Sequence, residues 1–202
     1  ARAQSWCQVS QYGTLTGIVI KAEPKRCEFL PYVAARYDHD TLFPRAGLDF
    51  EYDVNSNFIF NYTLWPDFAQ IEADPLRFNF SYAEGEELYF AEKRPFFLEG
   101  GGILNTPLRL FYTRRMNEIF SGAKMYGRVR GTELLALDVL TRDELENFSV
   151  VRVKQDIARS TLGVLATSKH GQDITSQAVG IDFNAPIAGP FLLTSQFAMT
   201  QN

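Results

Sequence analysis

"LDFEYDV" (48–54), followed by "NSN" (55–57) and "FIFNYTLW" (58–65), is the stretch on which the fold turns. In the first run Leu48, Phe50, Tyr52 and Val54 fall on one side, and Asp49, Glu51 and Asp53 on the other. Successive side chains of a strand point to opposite faces, so strict period two predicts a strand. Asn55-Ser56-Asn57 is turn chemistry. Phe58, Phe60, Tyr62 and Leu64 then alternate against Ile59, Asn61, Thr63 and Trp65. The unit predicts a β-hairpin with an aromatic face.

The same period recurs outward from this hairpin. It is found over 107–113, 121–129, 132–141, 147–156, 160–168, 178–184 and 190–200. Over 132–141, Leu135, Leu137 and Val139 oppose Ala136 and Asp138, after an Arg130-Gly131 turn. No helical period intervenes, so a βαβ organisation is disfavoured. With 27–37 counted first, the pattern predicts an all-β antiparallel meander of about nine or ten strands. The chain divides into a lead-in (1–26), the first strands (27–65), a long insert (66–106) and further strands (107–202).

Composition narrows the partners. The 202-residue chain carries a net charge of −4, which gives no footprint for nucleic acid. Mean hydropathy is −0.16 and no apolar run approaches the roughly 20 residues of a membrane helix. Aromatic content is 14%. A soluble β-sandwich and a transmembrane β-barrel share these averages, because both alternate apolar and polar residues. They differ in whether the polar face meets bulk water or a lumen. Lys124, Arg128, Thr161, Gly163 and Asp182 on that face suit a lumen, and the apolar face would then meet lipid.

The insert contains "EKRPFFLEGG" (92–101), where Glu92, Lys93, Arg94 and Glu99 bracket Phe96, Phe97 and Leu98. A solvated loop has no use for that apolar cluster, and a core strand has no place for those charges. A long segment without strands inside a compact domain is usually functional. Two placements remain: a constriction folded into a lumen, or a turn-rich loop outside the mouth. In the first, Arg114, Arg115, Lys124 and Arg128 would partner Glu72, Asp74, Glu92 and Glu99, with Asp67 nearby, and Lys93 and Arg94 would pair with other lumen charges. Phe96, Phe97 and Leu98 would pack on the plug or the wall.

Other motifs point to no chemistry. The Asp67, Glu72 and Asp74 group could offer oxygens to calcium, but pairing with arginine is the preferred expectation. Two carboxylates could serve a glycosidase, yet no substrate-positioning pattern accompanies them. His170 lies in a polar turn and His39 is distant, so neither a triad nor a zinc site is expected. No catalytic residue, metal or cofactor is predicted. Cys7 and Cys27 are either separate thiols or one disulfide of an oxidising compartment. The sequons at Asn61, Asn79 and Asn147 are explained by chance, and Gly100-Gly101-Gly102 reads as a hinge. No apolar signal segment precedes Ala1-Arg2-Ala3, so an exported protein would have had its signal removed or carried upstream.

Four motifs in fixed order carry a resemblance: "WPDFAQIEADP" (65–75), "FAEKRPFFLEG" (90–100), "RLFYTRRM" (109–116) and "GAKMYGR" (122–128). They resemble the bacterial outer-membrane β-barrel domain of unknown function that follows a carbohydrate-binding family nine module in many multidomain proteins. The likeness runs from about residue 15 to the end, with a departure at Trp65, where relatives carry Asn. It implies location in the cell outer membrane, lipid bilayer as partner, and a porin-like barrel. The expected role is passage or surface handling of a nutrient such as a glycan. A structural barrel subunit of a larger membrane assembly and a secreted carbohydrate-binding sandwich are the alternatives. About ten strands of a larger barrel would leave open edges, which membranes forbid. The expectation is a longer chain, or closure with other membrane subunits.

Overall fold

The computed structural model describes residues 25–38, 41–66, 92–116, 118–142, 145–172, 175–188 and 191–201. Nine strands form one antiparallel sheet in which each pairs with its sequence neighbours: β1 (Cys27–Asp38), β2 (Thr41–Asn55), β3 (Phe58–Leu64), β4 (Ile119–Val129), β5 (Thr132–Thr141), β6 (Asn147–Ile157), β7 (Ser160–His170), β8 (Thr175–Ala188) and β9 (Phe191–Gln201). The all-β meander is therefore as the alternation predicts. Among the described residues β1 and β9 are not paired with each other, so the sheet is open rather than closed.

Turn chemistry sets the hairpins. Arg130 and Gly131 join β4 to β5 with φ of 48° and 81°. Two positive φ values give the turn whose twist matches that of flanking strands, and glycine adopts the second without a Cβ penalty. Ala158, with φ of 54°, holds the β6–β7 connection in the same left-handed region.

The strand over 107–113 is not formed. Those residues run without a sheet partner into a 3-10 turn at Thr113–Arg115. Alternation reports an extended path, not a ladder partner. The segment between β3 and β4 therefore continues to the start of β4. Its described part carries one short helix, α1 (Pro95–Leu98), and a 3-10 turn at Gly101–Leu104.

Register sorts the strand residues into two faces. One row across the sheet is Glu51, Asn61, Lys124, Leu137, Val150, Thr167, Ala178 and Thr200. The next residue over begins another: Phe60, Met125, Ala136, Val151, Ala166, Val179 and Met199. The first face is covered by residues 92–116. Phe97, Met116 and Ile119 are buried there with Leu135, Leu137, Val139, Phe148, Val150 and Leu165, and Phe96, Ile103, Leu104, Leu110 and Phe111 pack around them. This corrects the expectation for β5: Leu135, Leu137 and Val139 lie beneath the inserted segment, not on the outward face. The segment creates a dry core on a face that is otherwise charged.

Among the described residues, the opposite face has no such cover. Met125, Val151, Val164, Val179, Ile181, Phe197 and Met199 are all exposed on it. Phe197, at 71%, leaves most of its ring unburied.

Candidate functional site

The distinctive site is the seam between residues 92–116 and the covered face. Arg94 closes the segment on itself. It is buried, donates from Nη1 to the Met116 carbonyl and from Nη2 to the Thr113 carbonyl, both at 2.7 Å. Its Nε and Nη2 donate to the two Glu92 oxygens at 2.9 and 2.8 Å. The guanidinium also lies 4.3 Å from the Phe97 ring centroid. One fork-shaped donor set thus fixes both ends of the described segment, a task for which a point charge is less suited.

Glu92 is tuned by the same contacts. Burial pushes its carboxyl up, but hydrogen bonds from the Arg94 side chain, Thr113 and the Arg94 backbone, with the Arg94 charge, together outweigh it and hold the group down at about 2.

Side chains from four strands tie the segment to the sheet. Buried Lys124 of β4 donates to the carbonyls of Phe96, within α1, and of Glu99, just past its end, the latter at 2.7 Å. Asn61 of β3 donates to Glu99 and to Glu51 of β2, each at 3.0 Å. Arg152 of β6 donates to the Ile103 carbonyl at 3.2 Å. Gln196 of β9 accepts from the Leu108 backbone N–H at 2.5 Å and donates to its carbonyl at 3.2 Å. The segment accordingly crosses the face from β3 to β9.

Beneath it run the sheet's own charges. Arg152 pairs with Asp182 through both guanidinium nitrogens, at 2.5 and 3.0 Å. A Cβ on Gly163 of the intervening strand would collide with that guanidinium. Arg128 pairs with Glu133 at 3.2 Å and with Asp156, and Lys154 pairs with Glu133 at 3.3 Å.

Of the residues singled out in sequence, Glu92, Arg94, Phe96, Phe97, Glu99 and Lys124 come together at this seam. Lys93 is half-buried beside them, its backbone N–H donating to Glu92 at 3.0 Å. Arg114 and Arg115 stand in the 3-10 turn that Arg94 grips. Arg128 does not join the group, because it is held by acids of its own sheet. Leu98 is exposed and lines a cavity of about 510 Å³ with Arg109, Phe111 and Tyr112. Asp67, Glu72, Asp74 and Cys7 lie outside the described residues, while Cys27 is exposed at the start of β1.

Sequence reasoning did not place Asn61, Arg152 or Gln196 at this site. Arg152 had one legible signal: a glycine inside a strand marks a close approach, and Gly163 sits between it and Asp182. Asn61 carries a further peculiarity, in that its Oδ1 is buried and receives no hydrogen bond. A buried acceptor left without a donor costs about 1–3 kcal/mol.

Residues 23–136 match the family described as Domain of unknown function (DUF5916). The match covers more than half of the chain, and the chain belongs to this family. No curated protein and no solved structure matches it.

Proposed function

With that membership as premise, we propose that the chain forms wall strands of an outer-membrane β-barrel whose residues 92–116 narrow the lumen. Its role is passage or surface handling of a nutrient, of which a glycan is one candidate. The observation that carries this reading is the contrast between the two faces of one sheet. On the face away from the segment, two adjacent register rows, Met125–Ala136–Val151–Ala166–Val179–Met199 and Leu134–Val153–Val164–Ile181–Phe197, contain no charged side chain. Contiguous exposed apolar surface on this scale marks an interaction with lipid or protein. The other face carries Arg128, Glu133, Lys154 and Asp182 along one row, which suits a polar interior. β4, β5, β6, β7 and β9 are 10 or 11 residues long, the length a tilted strand needs to cross a bilayer. Closure of such a sheet would come from further strands of a longer chain or from other subunits.

A carbohydrate-binding sandwich would require a second layer over the apolar rows, and none covers them among the described residues. Fractionation of the native full-length protein decides the matter. The expected result is outer-membrane recovery and faster gel migration unheated than boiled. Recovery in the soluble fraction without detergent overturns the barrel.

A further inference from the structure

Residues 109–115, "RLFYTRR", lie against the covered face where β6, β7, β8 and β9 run side by side. Register sets the floor there. Val150, Thr167, Ala178 and Thr200 form one row, and Phe148, Lys169 and Ser176 form the next on the same face. Between this floor and the segment lies a cavity of about 280 Å³. Arg109 and Arg115 line it from the segment and Lys169 from the sheet. Among the described residues no carboxylate lines it. Glu146 pairs with Lys169 at 2.5 Å but stands outside the lining. Three cations thus meet around one hollow of a chain whose net charge is −4. Aromatic rings back two of them: Arg109 lies 5.7 Å from the Tyr112 centroid and Lys169 5.4 Å from that of Phe148. Thr167, Ser176 and Thr200 add hydroxyls to the lining.

We propose that this cavity binds a small anionic solute of about monosaccharide size, whose carboxylate or phosphate is taken by Arg109, Arg115 and Lys169. A concave surface lined by one sign of charge focuses its field and concentrates ions of the other sign. A guanidinium presents five N–H donors in a fork that matches carboxylate and phosphate alike, so a contact made elsewhere does not exhaust it. The uncharged body of the solute would meet the rings and the hydroxyls, the mixture of aromatic walls and few polar groups that small-molecule sites use. The volume sits at the lower end of such sites, which run from roughly 300 to 1,000 Å³, so the solute is a single unit rather than an oligomer. The site stands on the cavity alone, whether or not the sheet closes. Only the further step, that the bound anion is the nutrient passed or handled, rests on the proposed barrel.

The test is equilibrium dialysis of the purified full-length protein at constant ionic strength against three probes that share one ring: glucuronate, glucose 6-phosphate and neutral glucose. Saturable binding of at least one charged probe is expected, with none of glucose. Whichever charged probe binds more tightly identifies the anion as carboxylate or phosphate. Thr200 is exposed at the edge of the cavity and can be changed without cutting a buried contact. Thr200→Glu should weaken binding about tenfold and Thr200→Lys should tighten it by a similar factor, with both thermal midpoints near the native one. Arg109→Gln should weaken it as well. Absence of saturable binding of either charged probe overturns the site, and so does glucose binding as tightly as they do. Binding that neither Thr200 substitution shifts also overturns it, since that would be diffuse attraction to surface cations. Anion binding by a protein recovered in the soluble fraction would keep the site and overturn the barrel. Outer-membrane recovery without anion binding would do the reverse.

Discussion

Arg152 on β6 reaches across Gly163 of β7 to grip Asp182 on β8, with its side chain 1% exposed. The pair stitches three strands side by side and offers its Nε to the inserted segment as well. Such a pair is worth little against a well-packed apolar replacement, but breaking it strands a buried charge. Arg152→Met should therefore destabilise by about 3–5 kcal/mol, while Arg152→Met with Asp182→Leu should recover most of the loss. Denaturant midpoints of the native protein and these variants check both. Gly163→Ala should destabilise without removing any charge, because its methyl occupies the space of the guanidinium.

How far this was legible depended on which face carried the information. The meander follows from alternation in residues such as Phe58–Trp65, where one face is aromatic and the other polar. β5 defeats the same rule. Leu134, Leu135, Ala136 and Leu137 are apolar on both faces, one for the inserted segment's core and one for the outside, so period two cannot say which is which. Residues 107–113 mislead differently: Leu108 and Leu110 do alternate, but the hydrogen bonds of Leu108 go to a glutamine side chain 88 residues away. The 92–101 stretch was legible as a buried mixture of charge and phenylalanine. That Arg94 would turn back on Glu92 and Thr113 was not, since a charge count does not specify geometry.

Acid should release the Arg94 clamp. The Glu92 carboxyl in the folded protein titrates at about 2, below its ordinary value of 4.5. Its contribution is thus fully present above about pH 4.5 and is lost as pH falls from there toward 2. Amide protection factors at residues 92–116, taken relative to the slower intrinsic exchange in acid, should fall across that window in the native protein. Glu92→Gln should exchange faster at neutral pH and show a flatter acid response. Identical pH profiles for the two would remove Glu92 from the clamp.

The apolar rows offer a sharp contrast with the covered face. If Val151 meets lipid, Val151→Lys should cost about 2–4 kcal/mol, depending on depth. Thr200→Lys, on the other face, should cost far less. Equal costs for the two in reconstituted protein would argue against a lipid-facing row.

Conductance tests the narrowing. Arg94→Gln combined with Glu99→Gln should raise single-channel conductance in a planar bilayer, because the segment loses the grip of Arg94 and one wall contact. Unchanged conductance in a variant that still inserts would place the segment outside the ion path.

The left-handed turn residues predict opposite signs. Ala158→Gly should stabilise by about 1 kcal/mol by relieving a Cβ penalty, and Gly131→Ala should destabilise by a similar amount by creating one. Thermal midpoints measured together check the pair.

The double hydrogen bond between Gln196 and Leu108 also dictates a schedule. Every ladder of the sheet joins neighbours in sequence, so the strands can be laid down one hairpin after another, with only short closures to wait for beyond the one between β3 and β4. The inserted segment leaves the chain before β4 yet fastens at its far end to β9. Its last attachment must wait until the ninth strand is in place, so the seam is fully seated only after all the strands it crosses have formed.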